Sequence, residues 1–390
     1  MTAGAGPPAD TADARLVAAA PQVRAPVGLR ANFLLAIASL GVALAAVEIA
    51  ARAFLPAAPP WRYPQLQYQA DPAVVFTLVP NQEAFTADKP ATINARGLRG
   101  TVIPYARTAP GLRLLFLGDS IVFGYGVEQS AAVAARVAAR LSETVGSTEA
   151  INSGVPGYNT EQEVTYLERE GIRYHPDWVI VGVCWNDIND KSDAQVSPQG
   201  WLVASGERGA TALTGLAESG FAYAVRNALK RSRLVYGALQ GGRAIVAALR
   251  PDSATLLRNE VLEGRETPRV AQGWQRVGDA LHRLHTLAAA SGFRPLLVAF
   301  PIPIAVERPF PHSSYPSRLR ALADREGMPL LDLNDAFRAV YRGHESLFIP
   351  YDGDHPNAVG HDVAARAIVD FLMARGLSGA VAEAAVNTEG

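Results

Sequence analysis

One serine stands where a nucleophile would be useful. Ser120 follows the apolar run 112–117 and the turn residues Gly118 and Asp119, which together predict a buried parallel strand that ends in a tight turn. Ligands meet open α/β sheets at the carboxyl ends of their strands. A serine hydroxyl is a weak nucleophile until a base removes its proton and a third group orients that base.

The base has to be one of seven histidines, and one of them has a carboxylate at a useful spacing. In the motif Asp352-x-x-His355-Pro356, the spacing lets Asp352 hold Nδ1 of His355 while Nε2 faces Ser120. Asp354 is a second candidate for the orienting carboxylate, with poorer geometry because it is adjacent to the histidine. Pro356 is predicted to occupy the first position of a following helix.

Acyl transfer also needs hydrogen-bond donors for the oxyanion of the transition state, and losing one typically costs about 2.7–4 kcal/mol. Three candidates follow three successive predicted strands. They are the backbone N–H of Ser120, the N–H of Gly157 in the loop 152–160, and the side-chain amide of Asn186 in the loop 184–187. These residues predict one centre for nucleophilic acyl transfer at the edge of a sheet.

The four segments resemble the signature blocks of the SGNH hydrolases, the GDSL esterase/lipase family, and occur in the same order over residues 112 to about 375. The blocks are Gly118-Asp119-Ser120, the Gly157 loop, Asn186-Asp187 and Asp352-x-x-His355-Pro356. The resemblance implies Ser120 as the nucleophile, His355 as the base and Asp352 as its orienter. It also implies an oxyanion hole of Ser120, Gly157 and Asn186, and no metal or cofactor.

The chain departs from the family pattern at one position beside the site. Trp185 stands where family members often have glycine, which predicts a narrower acyl pocket. The sequence around Ser120 also lacks the G-x-S-x-G elbow of ordinary α/β-hydrolases.

From residue 112 onward, strand and helix patterns alternate, which is typical of parallel βαβ units. Strands are predicted at 112–117, 149–152, 178–184, 295–300 and 329–333, and helices at 128–144, 161–170, 270–290, 316–326 and 358–373. The predicted fold class is α/β, a three-layer α/β/α sandwich with a five-stranded parallel sheet. The resemblance makes this the flavodoxin-like SGNH hydrolase fold.

The hydrolase domain is expected to span 112–378, with an insertion at 191–268. The insertion contains an apolar and basic helical segment, 221–249, which predicts a cap over the site or contact with a membrane surface. Residues 56–111 are interpreted as a linker and a small β extension. Its turn segment 93–100 carries two arginines and either approaches the site or forms a surface loop.

The N-terminal region predicts a single transmembrane helix at 31–55, after a disordered tail at 1–30. Residues 31–47 contain no charge, and a bilayer core requires roughly 20 apolar residues. A cleaved signal peptide is the alternative, because small residues such as Ala43 and Ala46 suit a peptidase. Basic residues on the two sides are balanced, which leaves the orientation open. Residues 379–390 are interpreted as a C-terminal tail.

Other functional classes find no support in the composition. The net charge of −1 argues against a nucleic-acid partner, and Cys184, as the only cysteine, excludes an intrachain disulfide and a cysteine-based zinc site. His282 and His285 lack the glutamate of a zinc-protease helix, so surface or core roles are expected for them rather than metal binding.

These observations predict a membrane-anchored serine esterase that forms an acyl-enzyme intermediate. The expected substrates are small-molecule, glycan or lipid esters, with the catalytic domain periplasmic or extracellular on the cytoplasmic membrane of a bacterium. An O-acyltransferase of polysaccharide modification with the same triad and a catalytically silent scaffold are the alternatives. The oligomeric state is left open.

Overall fold

The computed structural model describes residues 28–55, 57, 61–192, 194–203, 219–350 and 352–377. Most of the predicted tails at 1–30 and 379–390, and part of the predicted insertion, lie outside these residues. The chain divides into two units, one ending at Ala50 and one starting at Ala51. The domain boundaries expected from the sequence stay predictions.

Thirteen helices and eleven strands are numbered within the described residues. The helices are α1 (Leu29–Phe54), α2 (Ser120–Phe123), α3 (Val133–Val145), α4 (Thr160–Arg169), α5 (Gly220–Arg231), α6 (Arg233–Leu249), α7 (Ser253–Glu263), α8 (Pro268–Ser291), α9 (Pro303–Glu307), α10 (Ser317–Arg325), α11 (Asn334–Val340), α12 (His344–Leu347) and α13 (Ala358–Ala374). The strands are β1 (Tyr68–Asp71), β2 (Val75–Leu78), β3 (Gln82–Thr86), β4 (Lys89–Ile93), β5 (Leu112–Gly118), β6 (Thr148–Asn152), β7 (Trp178–Val183), β8 (Gln195–Val196), β9 (Leu202–Val203), β10 (Arg294–Ala299) and β11 (Leu330–Asp332).

The centre of the second unit is a five-stranded parallel sheet in the order β11-β10-β7-β5-β6. β5 and β7 are buried at every position, as expected for apolar strands covered on both faces. Alternate residues of β5 enter separate cores. Leu115 and Leu117 pack with α4 and α8, whereas Leu114 and Phe116 pack with α3 and α13. The predicted three-layer α/β/α fold is confirmed.

The N-terminal extension forms two small antiparallel hairpins, β1–β2 and β3–β4. Their apolar side chains build a third core that includes Phe76 and Ile93 from the hairpins, Phe123 from α2, and Tyr158 beside Gly157. The extension therefore packs directly against the helix that carries Ser120. The predicted surface-loop alternative for 93–100 does not hold for Arg99, which is buried.

The predicted helical segment 221–249 consists of two helices, α5 and α6. They are separated at Ser232, whose extended backbone ends α5 and whose side chain caps α6 by accepting from the N–H of Val235. Serine stabilises a helix more as its N-cap than in its interior, which explains why the two helices separate at Ser232. Another difference occurs at the predicted helix 128–144. Its regular part begins only at Val133, because Ala132 has an extended backbone.

α1 is the one described helix that is long and apolar enough to cross a membrane. The stretch Arg30–Phe54 has 25 residues and a mean hydropathy of 2.3. The ability to cross a membrane is judged from length and composition alone, and a signal sequence near the N-terminus can have the same length and composition.

Candidate active site

The turn after β5 presents Ser120 at the start of α2. Asp119 caps this short helix, because its Oδ1 accepts a hydrogen bond from the N–H of Ile121 at 2.8 Å. Gly118 is required at the end of the strand, since a Cβ there would lie 2.2 Å from Cγ2 of Val122. The tight turn predicted from Gly118 and Asp119 is therefore a consequence of close packing beneath the helix.

The loop before α13 carries the histidine to this turn. Nε2 of His355 lies 2.8 Å from Oγ of Ser120, and Nδ1 lies 2.9 Å from both carboxylate oxygens of Asp352. Oδ1 of Asp352 also accepts from the backbone N–H groups of Asp354 and His355, each at 2.9 Å. The structure thus brings Ser120, His355 and Asp352 into one hydrogen-bonded chain.

The two carboxylates of the loop have different partners. Oδ1 of Asp354 accepts from Nε1 of Trp185 at 3.2 Å, whereas Asp352 holds the imidazole. The geometry therefore favours Asp352 as the orienter over the alternative considered from the sequence.

The position predicted for Pro356 is wrong. Pro356 forms an isolated bridge with Phe348, and α13 begins only at Ala358. Asn357 is the cap, because its side chain accepts from the N–H groups of Val359 and Gly360. The Asn357 side chain pairs two backbone N–H groups in the first turn of α13. These groups would lack a side-chain partner if the helix began at Pro356.

Electrostatics suit a histidine base. Burial alone lowers the pKa of His355, but its hydrogen bond and charge interaction with Asp352 outweigh burial and raise that pKa above its usual value of 6.5. Burial likewise opposes ionisation of Asp352, yet the hydrogen bonds from His355 and from two backbone amides keep the pKa of this carboxyl below its usual value. The pair is arranged to stabilise an imidazolium beside a carboxylate.

The three predicted oxyanion donors have different surroundings. Asn186 lines the same cavity as Ser120, and its Nδ2 donates to Oδ2 of Asp119 at 3.1 Å. Gly157 has a φ of 97°, which favours glycine, but it does not line that cavity; a Cβ there would face Leu202 and Phe76. The roles of the three donors stay predictions.

The family model described as GDSL-like Lipase/Acylhydrolase family matches residues 116–363, well over half of the chain. The chain belongs to this family. It is therefore an enzyme of the ester-hydrolysing GDSL type.

Several solved structures are similar to this chain at low sequence identity. An α/β hydrolase from the metagenome of Lake Arreo, Spain, is 18% identical, with 70% of this chain and 98% of that chain covered and a TM-score of 0.41. An acetylxylan esterase from Geobacillus stearothermophilus is 18% identical, with coverages of 68% and 95% and a TM-score of 0.39. TesA is 15% identical, with coverages of 67% and 98% and a TM-score of 0.39. No curated protein sequence matches at a significant level.

The cavity at the GDSL serine is small. It has a volume of about 60 Å³ and is lined by Ser120, Asn186, His355, the carboxyl groups of Asp119 and Asp354, and apolar side chains. We call it the acyl cavity. Trp185 and Phe300 form part of its wall, and Trp185 is only 7% exposed. The bulky indole of Trp185 thus occupies space beside Ser120.

Two residues outside the family blocks support the GDSL site. The ring of Tyr125 packs on the imidazole of His355 with the centroids 4.8 Å apart. Arg99, from the segment 93–100, donates to the carbonyl groups of Phe123, the last residue of α2, and of Gly124 and Val127 beyond it. The two arginines of that segment indicated that Arg99 could approach the site, although not which groups it would contact. Nothing in the sequence pointed to Tyr125 except its closeness to Ser120.

Beneath the site lie three buried carboxyl groups, Asp119, Glu163 and Asp187. Burial and the neighbouring Asp119 raise the pKa of Asp187 to about 7, although Asp187 accepts hydrogen bonds from the Cys184 amide and the Thr160 hydroxyl. Burial, followed by the charges of Asp187 and Asp119, raises the pKa of Glu163 well above its usual value. Among the described residues, no group of three or more His, Cys, Asp or Glu is arranged to hold a metal ion.

Proposed function

We propose that this GDSL hydrolase cleaves esters of short acyl groups through an acyl-enzyme intermediate on Ser120. The observation that carries the proposal is the hydrogen-bonded chain from Asp352 through His355 to Ser120 at the wall of the acyl cavity. A nucleophile, a base and an orienting carboxylate are the minimum set for serine acyl transfer.

The reaction then proceeds in two steps, acylation of Ser120 and hydrolysis of the acyl-enzyme. Nε2 of His355 takes the hydroxyl proton of Ser120 as Oγ attacks the carbonyl carbon, and the carbonyl electron pair moves to oxygen. Collapse of this intermediate expels the alcohol, which leaves with the proton from His355. Water repeats the sequence on the acyl-enzyme, so that the carboxylic acid is released and Ser120 is restored.

Donors for the oxyanion come from the loops predicted above. The amide of Asn186 has two N–H donors, of which Asp119 needs one, so the second is assigned to the oxyanion. The backbone N–H groups of Ser120 and Gly157 complete the proposed hole.

The acyl side of the substrate is proposed to be short. A cavity of about 60 Å³ has room for only a few water-sized groups. An acetyl group fits such a space, whereas a fatty acyl chain does not. The bulk of the substrate therefore lies on its alcohol side, which favours an O-acylated glycan or small molecule over a lipid acyl ester.

We also propose that the chain is anchored in a bacterial cytoplasmic membrane by α1, with the hydrolase domain periplasmic or extracellular. The mean hydropathy of Arg30–Phe54 supports an anchor. A second support is the apolar surface of α6, where Ile245, Val246 and Leu249 are exposed. Arg233, at the start of α6, donates to the carbonyl group of Arg52 in the last turn of α1 and to that of Leu55, which follows the helix.

A panel of p-nitrophenyl esters graded by acyl length tests the reaction, together with fluorophosphonate labelling of the wild type and of Ser120→Ala. We expect acetate esters to be hydrolysed fastest and labelling to require Ser120. Equal labelling of both proteins contradicts the mechanism. Acetyl transfer to an oligosaccharide in preference to acetate release would instead indicate an O-acyltransferase. Protease accessibility on intact spheroplasts tests the orientation, because a protected hydrolase domain contradicts it.

A further inference from the structure

The helices α5 and α6 present apolar side chains where surface helices normally present polar ones. Between the first and last residues of α5, the exposed positions are Phe221, Ala224, Val225, Ala228 and Leu229. Among the described positions of α6, the exposed ones are Val235, Ala238, Leu239, Gly241, Gly242, Ile245, Val246 and Leu249. Both sets recur mainly at spacings of three and four and contain no polar side chain. Because the solvent side of a surface helix is usually polar, this is the reverse of the usual pattern. We call the two sets together the apolar face.

The polar side of α5 faces the protein instead. Asn227 donates to the backbone carbonyl of Trp61 and accepts from the Trp61 N–H. The guanidinium carbon of Arg226 lies 5.7 Å from the ring centroid of Trp61, and Tyr223 is buried. These contacts fix the rotation of α5 about its axis, so that its apolar side is held outward.

The first turn of α6 lies beside the end of α1. Arg233 donates to the carbonyl groups of Arg52 and Leu55, and a Cβ at Gly237 would lie 3.3 Å from Cδ1 of Leu55. The stretch that is apolar enough to cross a membrane ends at Phe54. Since a membrane-spanning helix ends near the bilayer surface, the start of α6 lies at that surface when α1 is inserted.

The charges of the segment 219–251 suit a membrane surface. The segment contains no aspartate or glutamate, whereas six of its residues are lysine or arginine. Helices that lie in the plane of a bilayer combine an apolar face with basic residues, and no carboxylate of this segment has to approach anionic headgroups. The outward apolar face, its position beside the end of α1 and the lack of acidic residues together favour lipid over a second copy of the chain.

We propose that the apolar face of α5 and α6 inserts into the boundary between headgroups and acyl chains of the bilayer that holds α1. This inference rests on the proposed anchoring by α1 and is independent of the proposed reaction. Leu229 and Leu239 of the apolar face also line a cavity of about 270 Å³ together with Tyr125 and Asp352. The hydrolase domain therefore lies against the bilayer by the side on which Asp352 is found.

The test places single fluorescent labels on the full chain. Cys184 is the only cysteine and is buried, so an introduced cysteine can be labelled selectively. The positions are Val225→Cys and Ile245→Cys on the apolar face, Glu143→Cys on the exposed side of α3 as the matched control, and Leu40→Cys in α1. Each labelled variant is reconstituted into vesicles of phosphatidylcholine and phosphatidylglycerol, and thermal unfolding at the wild-type temperature confirms its fold.

We expect lipids with a nitroxide near the headgroup to quench the Val225 and Ile245 labels several-fold more than the Glu143 label. Aqueous iodide should give the reverse order, because labels on an inserted face are shielded from water. The Leu40 label should be quenched best by a nitroxide deep in the acyl chains, since Leu40 lies near the middle of the apolar stretch.

Iodide quenching of the Val225 and Ile245 labels equal to that of the Glu143 label, with lipid quenching at Leu40, overturns this inference and leaves the anchoring intact. Lipid quenching at none of the three positions means that the anchoring fails, and this inference with it. Shielding of Val225 and Ile245 from iodide without lipid quenching, together with a dimer in analytical ultracentrifugation, assigns the apolar face to a second copy and also overturns it. Hydrolysis of p-nitrophenyl acetate by the same samples reports on the reaction separately.

Discussion

The indole Nε1 of Trp185 donates to Oδ1 of Asp354 at 3.2 Å, which ties the wall of the acyl cavity to the loop that carries His355. The bond gives Asp354 a structural partner and holds the indole against the space that an acyl group would fill. The proposed acyl-chain selectivity and the position of the His355 loop therefore depend on one contact.

Trp185→Ala should widen the range of acyl groups. Removing the indole enlarges the acyl cavity, so we expect the butyrate-to-acetate ratio of kcat/KM to rise by about tenfold or more, since each extra buried methylene contributes about 0.8 kcal/mol. The measurement uses p-nitrophenyl esters. Trp185→Phe is the matched control, because it keeps an aromatic wall while losing the bond to Asp354. An unchanged ratio in Trp185→Ala would show that another wall limits the acyl chain.

The two neighbouring carboxylates should differ sharply on mutation. Asp352→Asn removes the group that holds Nδ1 and stabilises the imidazolium, so kcat should fall by roughly 10⁴-fold, as for the equivalent change in other triads. Asp354→Asn should reduce kcat far less, because its partner is Trp185. Steady-state hydrolysis of p-nitrophenyl acetate measures both. A larger loss in Asp354→Asn would reverse the assignment.

The pH dependence follows from the raised pKa of His355. The base acts in its neutral form, so kcat/KM should fall as pH decreases through a pKa above 6.5. In Asp352→Asn the counter-charge is gone while burial remains, and the inflection should move to lower pH. Residual activity of that variant across pH 5–9 provides the comparison. An acidic limb that does not shift between the two proteins would contradict the electrostatic role of Asp352.

Arg99 should act as a positioning residue for the nucleophile. Its guanidinium donates to three carbonyl groups at the end of α2 and just beyond it, and burial lowers the pKa of Arg99 to about 10. We expect Arg99→Ala to slow fluorophosphonate labelling of Ser120 and to lose about 2–4 kcal/mol of stability. Added guanidinium at non-denaturing concentration should restore part of the labelling rate, which a general loss of packing would not allow.

Arg96→Ala is the control for Arg99, because Arg96 lies in the same turn segment but packs its guanidinium on Tyr105, at 3.5 Å from the ring centroid. This variant should lose stability without slowing the labelling of the folded protein. Equal labelling defects in both variants would attribute the effect to the extension as a whole.

Glu163→Gln should stabilise the protein at high pH. Burial raises the pKa of Glu163, so its favourable protonated form contributes most at low pH, and that contribution is lost as pH rises through the raised pKa. The variant should therefore match the wild type near pH 4 and exceed it by about 1 kcal/mol or more at pH 8. Urea unfolding at both pH values measures the difference, with the exposed Glu161→Gln on the same helix as the control. A pH-independent difference would contradict burial of a titrating carboxyl.

Several features of this protein are set by residues that lie close together in the sequence. The apolar runs at 112–117 and 178–184 predicted buried strands, because burial on both faces requires continuous apolar sequence. The spacing of Asp352 and His355 predicted their contact, because side chains three positions apart can lie on the same turn. The turn at Gly118 and Asp119 was predictable for the same reason: its geometry depends on adjacent residues.

Only the tertiary structure decided the distances between remote residues. Ser120 and His355 are 235 positions apart, and their 2.8 Å contact depends on which strands pair in the order β11-β10-β7-β5-β6. The same holds for the hydrogen bonds of Arg99, for the packing of Tyr125 on the imidazole, and for the volume of the acyl cavity. Packing between elements sets these features, and the local periodicity of the chain carries no information about which elements become neighbours.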